Sequence, residues 1–309
     1  MPRRRRGHPV RWLVVVLSVI AAGAIALRWF ESPPDSTGPG AATRPLPAAA
    51  RNIAPANCGG SSAGSDVIKA NTESLGDLAW SLSGRDALGW EIYAPLAQRE
   101  VATACPPDSQ GFALALSRWQ AAHGLSASGR MDATSFETMW VAMLVRRPFV
   151  RAMRFGCPAP LAASELELAQ PDETFARQTT IMAGRQALQA YRTLLAAARA
   201  NAPAIRTDPQ ALTIISAFRA PQLDGSDCPL GQVCSNLTRA NCSAHQTGTA
   251  MDLYLGAAPG RGPADSDDSN RLYQAASPAY IWLVRNAARF GFAPYPFEPW
   301  HWEWTGEAP

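Results

Sequence analysis

The chain has 309 residues, more than one average domain needs, with 47% hydrophobic and 17% charged residues. Its formal net charge is only +3, and four of the positive charges are Arg3 to Arg6, so the remainder is close to neutral. The other arginines are scattered rather than clustered, which argues against a nucleic-acid partner, and Lys69 is the only lysine.

Residues 1–30 read as a cytoplasmic tail and signal anchor. Arg3–Arg6 and Arg11 precede the apolar run Trp12–Leu27, and Arg28, Trp29 and Phe30 follow it. The run is shorter than the about 20 residues of a full span. Flanking arginines that snorkel and interfacial aromatics extend its reach, so residues 12–28 are expected to hold the chain in a membrane. The positive flank stays inside, which puts the C-terminal bulk outside, in the periplasm or cell-wall space. The rival is a signal peptide cleaved near Ala24-Ile25-Ala26, which would leave a secreted protein.

Six cysteines agree with export: Cys58, Cys105, Cys157, Cys228, Cys234 and Cys242. Six allow 15 pairings. Cys228 with Cys234 closes a local loop, Cys58 with Cys105 ties the start of the first folded region to its middle, and Cys157 with Cys242 braces the backbone ahead of His245.

Residues 31–65, rich in Pro, Ala, Gly and Ser, form a linker. A helical domain is expected over 66–148. Phe112, Leu116 and Trp119 share a helical face, Gly124 lies where a left-handed cap belongs, and Asp132 is a good N-cap for a helix burying Phe136, Met139, Trp140 and Met143. The string from Phe112 through Trp119-Gln120 and His123-Gly124-Leu125, then Gly129, Asp132 and Phe136, resembles the small three-helix peptidoglycan-binding domain attached to wall hydrolases. In this reading His123 is a cap or packing residue.

Residues 149–309 are expected to be the catalytic domain. An irregular connector to about 170 precedes a long helix over Glu173–Ala202 and a strand over Ala211–Ile215. Residues 221–242 read as a loop, Met251–Leu255 as a strand and Arg261–Asn270 as polar loop. A helix over Tyr280–Phe290 ends at Gly291, and Trp300–Trp304 is a terminal strand. Helices beside a small, mostly antiparallel sheet give an α+β class.

Chemistry concentrates in two segments, Ser243 to Asp252 and Glu298 to Trp304. Only four histidines exist, and two of them, His245 and His301, sit here beside carboxylates. Asp252 lies in an apolar strand, where a lone charge is costly unless paired or coordinated. A Gly-containing turn lets His245 fold back toward it. In Trp300-His301-Trp302-Glu303-Trp304 the period of two puts the tryptophans on one face and His301 and Glu303 on the other. Two imidazoles and one carboxylate, His245, Asp252 and His301, compose a hydrolytic zinc site with one open position, although other divalent metals also suit these ligands. Glu298 is the candidate base that moves the proton of a metal-activated water. Glu303 is the runner-up, its other role being to hold a ligand imidazole.

The pattern Ser243-x-His245-x-x-Gly248-x-Ala250-x-Asp252, followed by Glu298-x-x-His301, resembles the VanY-type D-alanyl-D-alanine carboxypeptidases among the zinc D,D-peptidases. The resemblance covers about residues 175–306. It implies Zn2+ on His245, Asp252 and His301, with Glu298 as base. It further implies that Arg219, in Ser216-Ala217-Phe218-Arg219, binds substrate or stabilises the developing oxyanion, and that Ser243 binds the substrate's terminal carboxylate. The chain departs from the family pattern at Phe218 and Ala220, where relatives often carry Tyr and Ser. The loop 221–242 is long, and a family glutamine has no clean match because Gln222 is too close. The implied reaction is release of terminal D-Ala from peptidoglycan stem peptides by a monomeric catalytic unit. An endopeptidase, an L,D-carboxypeptidase or a non-catalytic wall-binding protein are the other readings.

Overall fold

The computed structural model describes residues 58–59, 65–82, 85–220 and 242–306, all within one compact unit spanning residues 49–309. Residues 12–28, all of the linker 31–65 except Cys58, Gly59 and Ser65, and Cys228 with Cys234 lie outside the described residues. Among the described residues no helix is long and apolar enough to cross a membrane.

The chain begins with α1 (Ser65–Asp77) and an antiparallel hairpin of β1 (Ala79–Leu82) and β2 (Arg85–Leu88). Short α2 (Ala94–Glu100) leads to α3 (Gln110–Ala122) and α4 (Ala133–Val145). Ser109 caps α3 by accepting the Phe112 N–H, and Asp132 caps α4 by accepting the Ser135 N–H. Phe112, Leu116, Phe136, Met139 and Trp140 are buried as their helical spacing predicts. The hairpin is a difference from a plain three-helix arrangement. Trp80 on β1 fills the gap between helices, edge-on to Phe136 at 4.9 Å between ring centroids. The Cys58–Cys105 disulfide joins the start of this region to the segment before α3, as expected from the sequence. His123 stacks on Trp119 and its Nδ1 meets the Trp119 carbonyl at 2.8 Å, a packing role.

Short α5 (Pro148–Ala152) follows, then a two-stranded ribbon of β3 (Leu166–Leu168) and β4 (Met182–Gly184). The long helix expected over Glu173–Ala202 is shorter: α6 covers Arg185–Asn201. Residues 173–184 instead form turns and β4, because Ala176 and Arg177 both take positive φ and break helical geometry. Ala187, Leu188, Tyr191, Leu194, Leu195 and Ala198 line the buried face of α6. Short α7 (Pro203–Arg206) precedes β5 (Ile214–Ser216).

After the one-turn 3-10 helix Ala244–Thr247 come β6 (Ala250–Leu253), α8 (Asp268–Ala275), α9 (Pro278–Asn286), β7 (Phe292–Tyr295) and β8 (Glu298–Trp304). The polar stretch 261–270 thus ends in the first turn of α8 rather than in loop throughout, with Asp267 capping it. Gly291 ends the helical segment in the left-handed region at φ 76°, where glycine is favoured. Strands β5, β6, β8 and β7 lie in that order in one antiparallel sheet, so the class is α+β. Trp300, Trp302 and Trp304 point into the core, which leaves the intervening residues of β8 for the opposite face.

Candidate metal centre

The sheet register assembles the site. Asp252 on β6 pairs directly with His301 on β8, so the two side chains share a face. His301 Nδ1 lies 3.0 Å from Asp252 Oδ1. Glu303 follows His301 by two residues and lies on the same face. It is opposed by Ala250 and Ala293 on the flanking strands, which leaves it room.

His245 arrives from the turn before β6. Ser243 caps the 3-10 helix by accepting the His245 N–H at 3.2 Å, while Gln246 Oε1 accepts the Ser243 N–H at 3.3 Å. Gln246 Nε2 donates to the Pro158 carbonyl at 2.5 Å, and the Cys157–Cys242 disulfide pins the same neighbourhood, as the sequence suggested. Gly248 then reverses the chain at φ 70°; a side chain there would also meet Leu161 Cδ2 at 2.5 Å. The result is His245 Nε2 at 3.3 Å from Asp252 Oδ1. One ligand atom from each of His245, Asp252 and His301 lies within 4.8 Å of the others, and all three residues are buried.

The protonation pattern suits a cation. His245 Nδ1 is 2.5 Å from the Ala217 carbonyl oxygen, which can only accept, so Nδ1 carries the hydrogen. Nε2 then presents a lone pair to the cluster. It is buried and has no hydrogen-bond partner, despite its closeness to Asp252. An unpaired buried nitrogen costs about 1–3 kcal/mol unless something binds it. Burial pushes the His245 pKa down, which keeps the ring neutral. Burial alone would raise the Asp252 pKa, but the hydrogen bond and positive charge of His301 oppose it, and the carboxylate lies well below its usual range. His301 Nε2 points at Glu303 Oε1, 3.3 Å away, which leaves Nδ1 for the cluster. Two imidazoles and a carboxylate with an orphaned buried nitrogen fit a divalent metal, with these three residues as its holders.

Glu298, 13% exposed, stands beside this point, its Oε2 3.9 Å from His301 Nδ1. Burial raises its pKa, the direction a proton-transfer group needs. Arg219 is half exposed, with Nη2 3.8 Å from Asp252 Oδ2, so its guanidinium borders the cluster from the solvent side. Ser243 is engaged in the turn cap just described. Glu303, the alternative base in the sequence reading, is 1% exposed and fully committed. Arg147 Nε donates to its Oε1 at 2.9 Å, Arg147 Nη2 donates to the same oxygen, and the Phe149 N–H donates to Oε2 at 2.9 Å. These donors and His301 overcome the upward push of burial and lower the Glu303 pKa to about 2. It holds an imidazole and has no spare lone pair facing water.

A family model described as VanY: D-alanyl-D-alanine carboxypeptidase matches residues 234–307. This part of the chain is similar to the VanY family. No curated protein matches the chain. The VanY segment contains Ser243, His245, Asp252, Glu298, His301 and Glu303, so both sequence motifs fall inside it. Arg219 lies outside it, as do Arg147 and the Ala217 carbonyl. The last two were missed by sequence reasoning. Arg147 carried no signal beyond being an arginine before a proline, and a backbone carbonyl has no sequence signature.

Proposed function

We propose that this protein is a zinc-dependent peptidase of the bacterial cell wall that releases terminal D-Ala from peptidoglycan stem peptides. The observation that carries the proposal is the convergence of His245 Nε2, Asp252 Oδ1 and His301 Nδ1 at a buried point beside Glu298, within the VanY-type segment. Zinc held by these three residues would supply Lewis acidity and a water whose pKa is near neutral.

The protein's own groups do the rest. Glu298 takes the proton of the attacking water as its oxygen bonds to the carbonyl carbon, and delivers it to the amine nitrogen as the carbon–nitrogen bond breaks. Arg219, on the solvent side of Asp252, meets the carbonyl oxygen as negative charge develops on it. Ser243, at the mouth of the His245 turn, holds the substrate's terminal carboxylate through a hydroxyl that can also donate outward. The helical region 66–148 serves as a wall-binding module, and residues 12–28 anchor the chain with its folded part outside. Both raise the local concentration of stem peptides around the site.

The test is incubation of the purified protein with pentapeptide, tetrapeptide and cross-linked muropeptides, with products read by mass spectrometry with and without a chelator. Loss of one alanine from pentapeptide, abolished by the chelator, is the expected result. Cleavage of the cross-link or of tetrapeptide alone would redirect the assignment to an endopeptidase or an L,D-carboxypeptidase. Metal binding without any cleavage would favour a wall-binding protein.

A further inference from the structure

Arg147 sits between α4 and α5, in the helical part of the chain and 156 residues before Glu303. It is 8% exposed, and a buried guanidinium is retained only where it is well paired. Two of its N–H groups converge on Glu303 Oε1, while the Phe149 N–H, next along the same turn but one, holds Oε2. The carboxylate therefore has one orientation, with Oε1 toward His301 Nε2. Arg147 also lies over the Tyr295 ring, its Cζ 3.7 Å from the centroid, and Tyr295 meets the His301 ring edge-on at 5.8 Å. Both side chains that flank the His301 ring on this side are thus fixed by the same cation.

We propose that Arg147 is a positioning residue of the metal centre. Through Glu303 it sets the orientation of the His301 ring and keeps the hydrogen on Nε2, so that Nδ1 is the atom offered to the metal. The inference rests on the metal-binding reading of His245, Asp252 and His301. It makes the helical region part of the catalytic centre, since the peptidase segment by itself lacks the group that orients one of its ligands.

The experiment uses the full chain and the variants Arg147→Gln, Arg147→Lys, Glu303→Gln and the double variant Arg147→Gln/Glu303→Gln. Metal-stripped protein is titrated with Co2+ while the visible spectrum is recorded, and Zn2+ affinity is measured by competition with a chromogenic chelator. Arg147→Gln is expected to weaken metal binding about 10–100-fold and to alter the cobalt bands, as for other groups that orient a ligand imidazole. The double variant is expected to bind metal no more weakly than Glu303→Gln, because Arg147 acts through that carboxylate. Thermal unfolding of each metal-free variant separates this from a folding defect. If Arg147→Gln does not fold, Arg147→Lys keeps the charge but not the planar fork, and weaker metal binding is still expected. Wild-type cobalt spectrum and zinc affinity in a folded Arg147 variant would overturn the proposal, as would additive losses in the double variant. A wild-type chain that binds neither metal would overturn the reading of the cluster itself.

Discussion

The two histidines of the cluster are held in opposite ways. On the His245 side the ring is held by one backbone group, the Ala217 carbonyl, and its turn by a side-chain cap, a left-handed glycine and the disulfide at Cys242. On the His301 side the support is made of side chains, and its last member, Arg147, comes from the helical region. A carbonyl can only accept, so it fixes the His245 tautomer by itself. A carboxylate has two oxygens and several orientations, and needs further donors before it can do the same for His301. One ring is therefore fixed by a single backbone acceptor, and the other by a relay of side chains that ends in the helical region.

The largest effect is expected from the group beside the cluster that neither support engages. Glu298→Gln keeps the size and removes the carboxylate proposed as the base, so kcat on pentapeptide muropeptide should fall by about 10²–10⁴. Metal content by elemental analysis should stay at the wild-type level. Loss of metal along with activity would instead place Glu298 among the ligands, on the His301 side of the cluster.

Next comes the disulfide. Replacing Cys157 and Cys242 together by Ser opens a bridge across 85 residues beside the His245 turn. The expected cost is about 2–5 kcal/mol, read from denaturant midpoints with and without a reductant. An unchanged midpoint would mean that the turn is held by its own hydrogen bonds.

These two sides also differ in how well the sequence announced them. The order and spacing of His245, Asp252, Glu298 and His301 were legible because they sit within short motifs on a turn and two strands. The alternation of β8 told which residues share a face. The hairpin of β1 and β2 was not legible, since Arg85-Asp86-Ala87-Leu88 carries no strand pattern and is stabilised by the packing of Trp80. The break before α6 was hidden because Ala176 and Arg177, residues usually at home in helices, adopt positive φ. Arg147 was invisible for the most general reason: an ion pair across 156 residues leaves no local trace.

Charge also separates the two histidines. In metal-free protein, burial would lower the His301 pKa, but hydrogen bonds to Asp252 and Glu303 outweigh it and raise it to about 9. His245 is shifted the other way and stays neutral. A metal held as proposed needs the Nδ1 lone pair of His301, so below about pH 9 its binding must expel a proton. Apparent affinity should then rise about tenfold per pH unit and level off above that pH. Calorimetry in buffers of different ionisation heat should count one proton released near neutrality. Two protons would mean that His245 is also charged, and the two sides would then be electrostatically alike.

The smallest effect tests whether the His245 side is as self-contained as its hydrogen bonds suggest. Gln246 is 2% exposed, accepts the Ser243 N–H and donates to the Pro158 carbonyl. Gln246→Ala strands the Ser243 N–H and the Pro158 carbonyl and removes a contact to Cys157 Sγ, and the cost of such unpaired groups is about 1–3 kcal/mol, reduced here if water reaches the turn. A loss near 1 kcal/mol in the denaturant midpoint is expected, with little change in metal affinity, because the ring itself is held by the Ala217 carbonyl. A fall in metal affinity larger than the fall in stability would show that the turn, and not the carbonyl, orients His245. The backbone side of the site would then be as dependent on a distant contact as the side built on Arg147.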